Sequence, residues 1–104
     1  MKEITVQELK EKKDRNEDFT LLDVREPHEY QISNIDGELI PLDDLPGRTD
    51  ELDKEKEIVV MCRTGGRSAN ACRFLEKKGF KNVSNLVGGV NAWAKEIDTS
   101  LPVY

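Results

Sequence analysis

The sequence predicts an α/β fold with a central, mostly parallel sheet flanked by helices. Two short apolar runs, Phe19-Thr20-Leu21-Leu22-Asp23-Val24 and Ile58-Val59-Val60-Met61, alternate with segments of helical periodicity. Both runs are nearly continuous in apolar character, the pattern of strands covered on both faces and hence of a parallel sheet. The chain has 104 residues, enough for one core, so a single domain over residues 1–104 is expected. Its hydrophobic fraction is only 37%, but the apolar residues are clustered, which favours folding.

Each element follows from local signals. Thr5-Val6-Gln7-Glu8 is a capping box, with Thr5 at the N-cap and Glu8 reaching back, and it opens a helix ending near Lys13. Asn16-Glu17-Asp18 breaks the pattern before the strand that ends with Asp23 and Arg25 at its carboxyl side. Pro27 suits the first turn of a short helix, His28 to Ile32, because no N–H is needed there. Ser33 to Gly37 is a turn, and Glu38-Leu39-Ile40 is a short strand closed by Pro41. Leu42 to Asp53 is polar, contains Pro46-Gly47, and is expected to hold one short helix. The strand at Ile58 and a helix from Arg67 to Lys78 follow, with Gly79 as the C′ residue. Asn82 to Leu86 is the last strand, Gly88-Gly89 turns the chain, and Val90 to Glu96 is the last helix. Thr99 to Tyr104 is expected to be extended coil.

The chemistry concentrates in Cys62-Arg63-Thr64-Gly65-Gly66-Arg67-Ser68. Strand, tight loop and helix start aim a run of unpartnered backbone N–H groups at one point, and the helix dipole adds positive potential there. Gly65 and Gly66 can take positive φ, so the loop can curl into an anion-holding bowl. A thiol at its mouth loses its proton readily, which makes Cys62 a candidate nucleophile. Both Cys62 and Asp23-Arg25 fall at carboxyl ends of strands, where sites form in open α/β sheets. Arg67 has two readings, contact with an anionic substrate or pairing with Asp23 to hold the loop in shape, of which pairing is expected; Arg63 is expected to face outward towards an anionic donor or partner. Thr64 reads as a small polar loop residue. Cys72 is expected in the core, His28 on the surface and Trp93 in the packing of the last helix.

Composition excludes several classes. The net charge is −5 with both signs interspersed, so nucleic acid is not an expected partner. The start lacks an apolar h-region and no run approaches membrane-spanning length, so neither a secretory signal nor a membrane is expected. Two cysteines without such a signal imply free thiols in a reducing, cytoplasmic setting. One histidine and two distant cysteines do not make a metal site, and no cofactor is implied.

Three stretches together resemble the rhodanese-like sulfurtransferase domains. They are Leu22-Asp23-Val24-Arg25-Glu26 with Glu29-Tyr30, the loop Cys62 to Ser68, and Asn85-Leu86-Val87-Gly88-Gly89-Val90 leading to Trp93. The resemblance implies a three-layer fold and a cysteine that carries sulfur as a persulfide. It implies Cys62 as catalytic residue, the loop Arg63, Thr64, Gly65, Gly66, Arg67 and Ser68 as substrate-binding, and Asp23 and Arg25 as supporting. The sequence departs from the family at Ser33-Asn34-Ile35-Asp36-Gly37-Glu38, where Gly-His-Ile-Pro-Gly-Ala is usual, and at acidic Glu29, near which some thiosulfate-using members carry a basic residue. That variant stretch, Ile40-Pro41-Leu42 and Leu101-Pro102-Val103-Tyr104 look more like the rhodanese domain fused to adenylyltransferases of the ubiquitin-activating type. By that likeness the partners are a small sulfur donor (thiosulfate or persulfide) and a sulfur-carrier protein or adenylyltransferase, in molybdopterin or thiamine synthesis. The other readings are a buried structural cysteine, a non-catalytic binding or regulatory module, and a cysteine-dependent phosphatase or arsenate reductase. The last group uses Cys-x5-Arg, whose extra residue widens the bowl for a tetrahedral oxyanion; the Cys-x4-Arg spacing here suits a single sulfur.

Overall fold

Ile58, Val59, Val60 and Met61 are all fully buried, and they form the middle of a five-stranded sheet. The computed structural model describes residues 1–104. Its strands are β1 (Lys2–Ile4), β2 (Phe19–Asp23), β3 (Glu38–Leu39), β4 (Glu57–Met61) and β5 (Val83–Leu86). All neighbours are parallel, in the order β1-β5-β4-β2-β3. The helices are α1 (Val6–Asp14), α2 (Pro27–Ile32), α3 (Gly66–Lys77) and α4 (Gly89–Glu96).

Side chains of successive strand residues point to opposite faces, so β4 feeds two cores. Ile58 and Val60 join Leu22, Cys72, Leu75 and Phe80 on the face covered by α3. Val59 and Met61 join Val6, Leu9, Leu86 and Trp93 on the face covered by α1 and α4. Cys72 and Trp93 are therefore core residues, as expected, while His28 is exposed. The capping box at Thr5 is formed, with Thr5 Oγ1 accepting from the Glu8 amide and Glu8 Oε1 from the Thr5 amide.

Two elements differ from expectation. Lys2-Glu3-Ile4 is an edge strand paired with β5; only Ile4 is buried, so a single apolar residue carried its signal. Leu42 to Asp53 holds two single 3₁₀ turns, Leu45–Gly47 and Thr49–Glu51, instead of one short helix. Pro46 sits inside the first turn and cannot donate to an α-helical ladder, which keeps the segment from growing.

The end of β2 is tied to α2 by an ion pair out of contact with solvent. Arg25 Nη2 lies 2.8 Å from Asp23 Oδ2, and the side chains are 0% and 1% exposed. The same guanidinium donates to the backbone oxygens of Glu29 at 3.3 Å, which also accepts the Ser33 amide closing α2, and of Ser33 at 2.8 Å, just past the helix end. This fastening sets where α2 presents Glu29. Removing one partner of such a pair leaves an uncompensated buried charge. Asp23→Ala is expected to cost about 3–5 kcal/mol in urea denaturation; an unchanged unfolding midpoint would contradict this account of the α2 anchor.

Candidate active site

Cys62 directly follows β4 and is 1% exposed. The chain then turns through Gly65, at φ +118°, into the first turn of α3. The Gly65 amide donates to Cys62 Sγ at 3.1 Å, and the amides of Thr64 and Ser68 also favour negative charge there. Amides can face inward only because the loop's carbonyls are satisfied elsewhere. The Val90 amide donates to the Cys62 oxygen at 2.9 Å, and the Asn91 amide to the Arg63 oxygen at 3.2 Å. Asn85 Nδ2 donates to the Gly65 oxygen at 3.1 Å. Thus α4 spends free donors of its first turn on the back of the loop. Gly89, at φ +60°, allows this approach; a Cβ there would collide with the Cys62 and Arg63 carbonyls.

The thiol's environment contains opposed effects. Burial pushes the Cys62 thiol up, but the Ser68 hydroxyl, 3.3 Å from Sγ, and the amides of Ser68, Gly65 and Thr64 together lower it below the ordinary cysteine range. Cys72 shows burial without those donors, and its thiol is pushed up to about 12. The two cysteines differ in their hydrogen-bond donors far more than in their burial.

The expected pairing of Arg67 with Asp23 does not occur. Arg67 Nη1 and Nη2 bind Glu29 Oε1 and Oε2 at 2.6 and 2.8 Å, while Asp23 is fully engaged by Arg25. Arg25 is buried and two residues from Asp23, so it takes that carboxylate first; α2 delivers Glu29 to the outer arginine. The Arg67 guanidinium holds the Glu29 carboxyl well below the usual carboxylate range despite partial burial. Arg63 is exposed, as expected, and Thr64 contributes its amide rather than its side chain.

Sequence reasoning missed two members of the site. Tyr104 returns from the tail to donate its hydroxyl to Glu29 Oε2 at 2.7 Å and accept from Arg25 Nη1 at 2.8 Å. Its ring lies 5.0 Å from the Arg63 guanidinium, whose Nε donates to the Tyr104 backbone oxygen at 2.5 Å. Asn85 is the other. The available signals were a polar Ser84-Asn85 pair inside an otherwise apolar strand and an apolar run, Leu101-Pro102-Val103-Tyr104, closing the tail on an aromatic residue.

The Rhodanese-like domain family matches residues 5–96, most of the chain. The chain belongs to the rhodanese-like family. A Bacillus subtilis protein provisionally named sulfurtransferase YtwF is 43% identical over 97 residues, covering 92% of this chain and 93% of that protein. Other curated relatives are longer, and the chain spans 38%, 50% and 23% of three of them. The last is the maize Adenylyltransferase and sulfurtransferase MOCS3-2, 38% identical over 109 residues and matched by 97% of this chain. Among solved structures, a Rhodanese-like Domain Protein from Staphylococcus aureus superposes with a TM-score of 0.86 at 34% identity, covering 93% of this chain and 95% of that one. The parallel sheet and flanking helices are thus the rhodanese-like α/β fold.

The contrast between the two thiols is directly measurable. Iodoacetamide alkylation followed against pH should give Cys62 a midpoint below that of a free cysteine, near 8.5. Cys72 should stay unmodified in the folded protein. A Cys62 midpoint at or above the free value would contradict the role assigned to the loop amides.

Proposed function

We propose that this rhodanese-like domain, acting as one unit over residues 1–104, is a sulfurtransferase that carries sulfane sulfur as a persulfide on Cys62. The observation that carries the reading is a buried sulfur held by donors: Cys62 is 1% exposed, and its Sγ receives the Gly65 amide at 3.1 Å with the Ser68 hydroxyl 3.3 Å away. The Cys62 thiolate attacks the outer sulfur of a donor, forming a new S–S bond as the donor's own bond to that sulfur breaks. With a persulfide donor the leaving group is a thiolate; with thiosulfate it is sulfite. A nucleophilic acceptor then takes the outer sulfur and regenerates the Cys62 thiolate, giving two half-reactions and ping-pong kinetics.

The loop amides meet the charge of both the attacking thiolate and the loaded persulfide, because both are anions. Arg67 acts through shape, since Glu29 occupies both of its terminal nitrogens. Arg63, at the exposed rim, steers an anionic donor or partner. Asp23 and Arg25 support the site by placing α2. A bowl closing on a 1% exposed cysteine admits one sulfur atom more readily than a phosphoryl group with three equatorial oxygens, which argues against the phosphatase and arsenate reductase reading.

The wider assignment is a cytoplasmic protein delivering sulfur to a sulfur carrier or adenylyltransferase, in molybdopterin or thiamine biosynthesis. Its support is the likeness to the adenylyltransferase-fused relative, of which this chain spans 23%. No helix is long and apolar enough to cross a membrane.

Incubation with thiosulfate or a persulfide, followed by intact-protein mass spectrometry, should add the mass of one sulfur atom. Cyanide should remove it. Cys62→Ser should abolish the adduct and Cys72→Ser should retain it. Cys62-dependent release of phosphate from aryl phosphates without a sulfur adduct would contradict sulfur transfer, and no adduct with any donor would favour a binding module.

A further inference from the structure

Behind Cys62 lies a closed ring of buried polar contacts. Ser68, from the first turn of α3, is 0% exposed, and Asn85, from β5, is 5% exposed. Ser68 Oγ is 3.3 Å from Cys62 Sγ and 2.5 Å from Asn85 Oδ1. Asn85 Nδ2 donates to the Gly65 oxygen, and the Gly65 amide donates back to Sγ.

Proton counting orients this ring. The Gly65 carbonyl can only accept, so the amide nitrogen of Asn85 must face it. Oδ1 therefore faces Ser68, and an amide oxygen can only accept. The single proton of the Ser68 hydroxyl must lie on the Asn85 side. Ser68 then has only lone pairs to offer Cys62, so the contact at 3.3 Å is a thiol S–H donating to Ser68 Oγ. A sulfur anion offers no such proton. To meet it, Ser68 must turn its own proton onto sulfur and give up the bond to Asn85, leaving a buried Oδ1 without its donor.

We propose that Asn85 is a positioning residue that holds the Ser68 hydroxyl proton away from neutral Cys62 and yields it when that sulfur becomes an anion. This rests on the sulfur-transfer reading for its purpose, since thiolate and persulfide are the anionic states in question. The hydroxyl is a two-position donor. Its proton is never transferred; the proton lost from Cys62 leaves to solvent, and Ser68 only rotates. The consequence is a resting cysteine more protonated, and so less open to adventitious alkylation or oxidation, than it would be with the Ser68 hydroxyl free to face it. The other groups near Cys62 do not perform this switch. Arg67 is a fixed charge bound to Glu29, and Cys72 is a neutral thiol.

The test is a double-mutant cycle on the Cys62 alkylation profile, which needs no sulfur donor. It is run in Cys72→Ser protein so that one thiol reports. Asn85→Ala should lower the Cys62 midpoint by about half to one pH unit, the scale of one neutral hydrogen bond. In a Ser68→Ala background the same substitution should produce no such lowering, because the lowering acts through the hydroxyl, whereas the Asn85–Gly65 bond is lost in both backgrounds and cancels in the cycle. Equal shifts in both backgrounds, or a raised midpoint for Asn85→Ala alone, would overturn the proposal. A second measurement needs no change at Asn85. The infrared S–H stretch of neutral Cys62 should be red-shifted from that of a thiol without an acceptor, and Ser68→Ala should abolish the shift. An unshifted stretch would overturn the proposal even if the Asn85 variants failed to fold. Absence of a sulfur adduct would overturn the sulfur-transfer reading and leave these outcomes unaltered.

Discussion

A loop can turn its amides towards a sulfur atom only if something else accepts the burden of its carbonyls. Here the first turn of α4 does so, through the bonds from Val90 to the Cys62 oxygen and from Asn91 to the Arg63 oxygen. This constraint reaches back into the fold. β5 must lie beside β4 so that the chain leaving Leu86 arrives behind the loop, and α4 must start without a side chain at Gly89. The same strand supplies Asn85, which fastens the third carbonyl, that of Gly65. Sheet order, glycine placement and the electrostatics at Cys62 are one arrangement seen at three scales.

The charged groups form a second, outer layer. Asp23, Arg25, Tyr104, Glu29 and Arg67 are linked in series by hydrogen bonds, from the buried end of β2 to the rim of the loop. In this acidic protein, every cationic group of that series has an anionic or hydroxyl partner. Stabilisation of a sulfur anion therefore falls mainly to neutral donors, which are fixed in place and cost little reorganisation when charge appears. Lone buried cations near Cys62 would stabilise the anion more strongly, but at a desolvation cost that a chain of this size can ill sustain.

The legible features were those whose cause is local. The run Ile58 to Met61, the following cysteine and two glycines are contiguous, so strand, bowl and helix start could be read directly. The Thr5-Glu8 capping box is equally local. Arg67's partner was not legible in this way, because three carboxylates within seven residues (Asp23, Glu26 and Glu29) could each have faced it. The choice is made by Arg25, whose burial claims Asp23 and whose bonds to α2 carry Glu29 outward. Tyr104 reads as tail because its hydroxyl finds its partners 75 and 79 positions away, a separation at which residue type alone conveys nothing. Edge strand β1 failed for the opposite reason: its three residues have too little apolar content to rise above their charged neighbours.

The central claim is that the loop is preformed for a sulfur anion by donors in front and by α4 behind. A crystal structure of the sulfur-loaded protein tests it most directly. The account predicts an added sulfur within hydrogen-bond reach of the loop amides, with the Val90–Cys62 and Asn91–Arg63 backbone bonds still in place. An added sulfur pointing into solvent, or a loop rearranged with those two bonds broken, would contradict it.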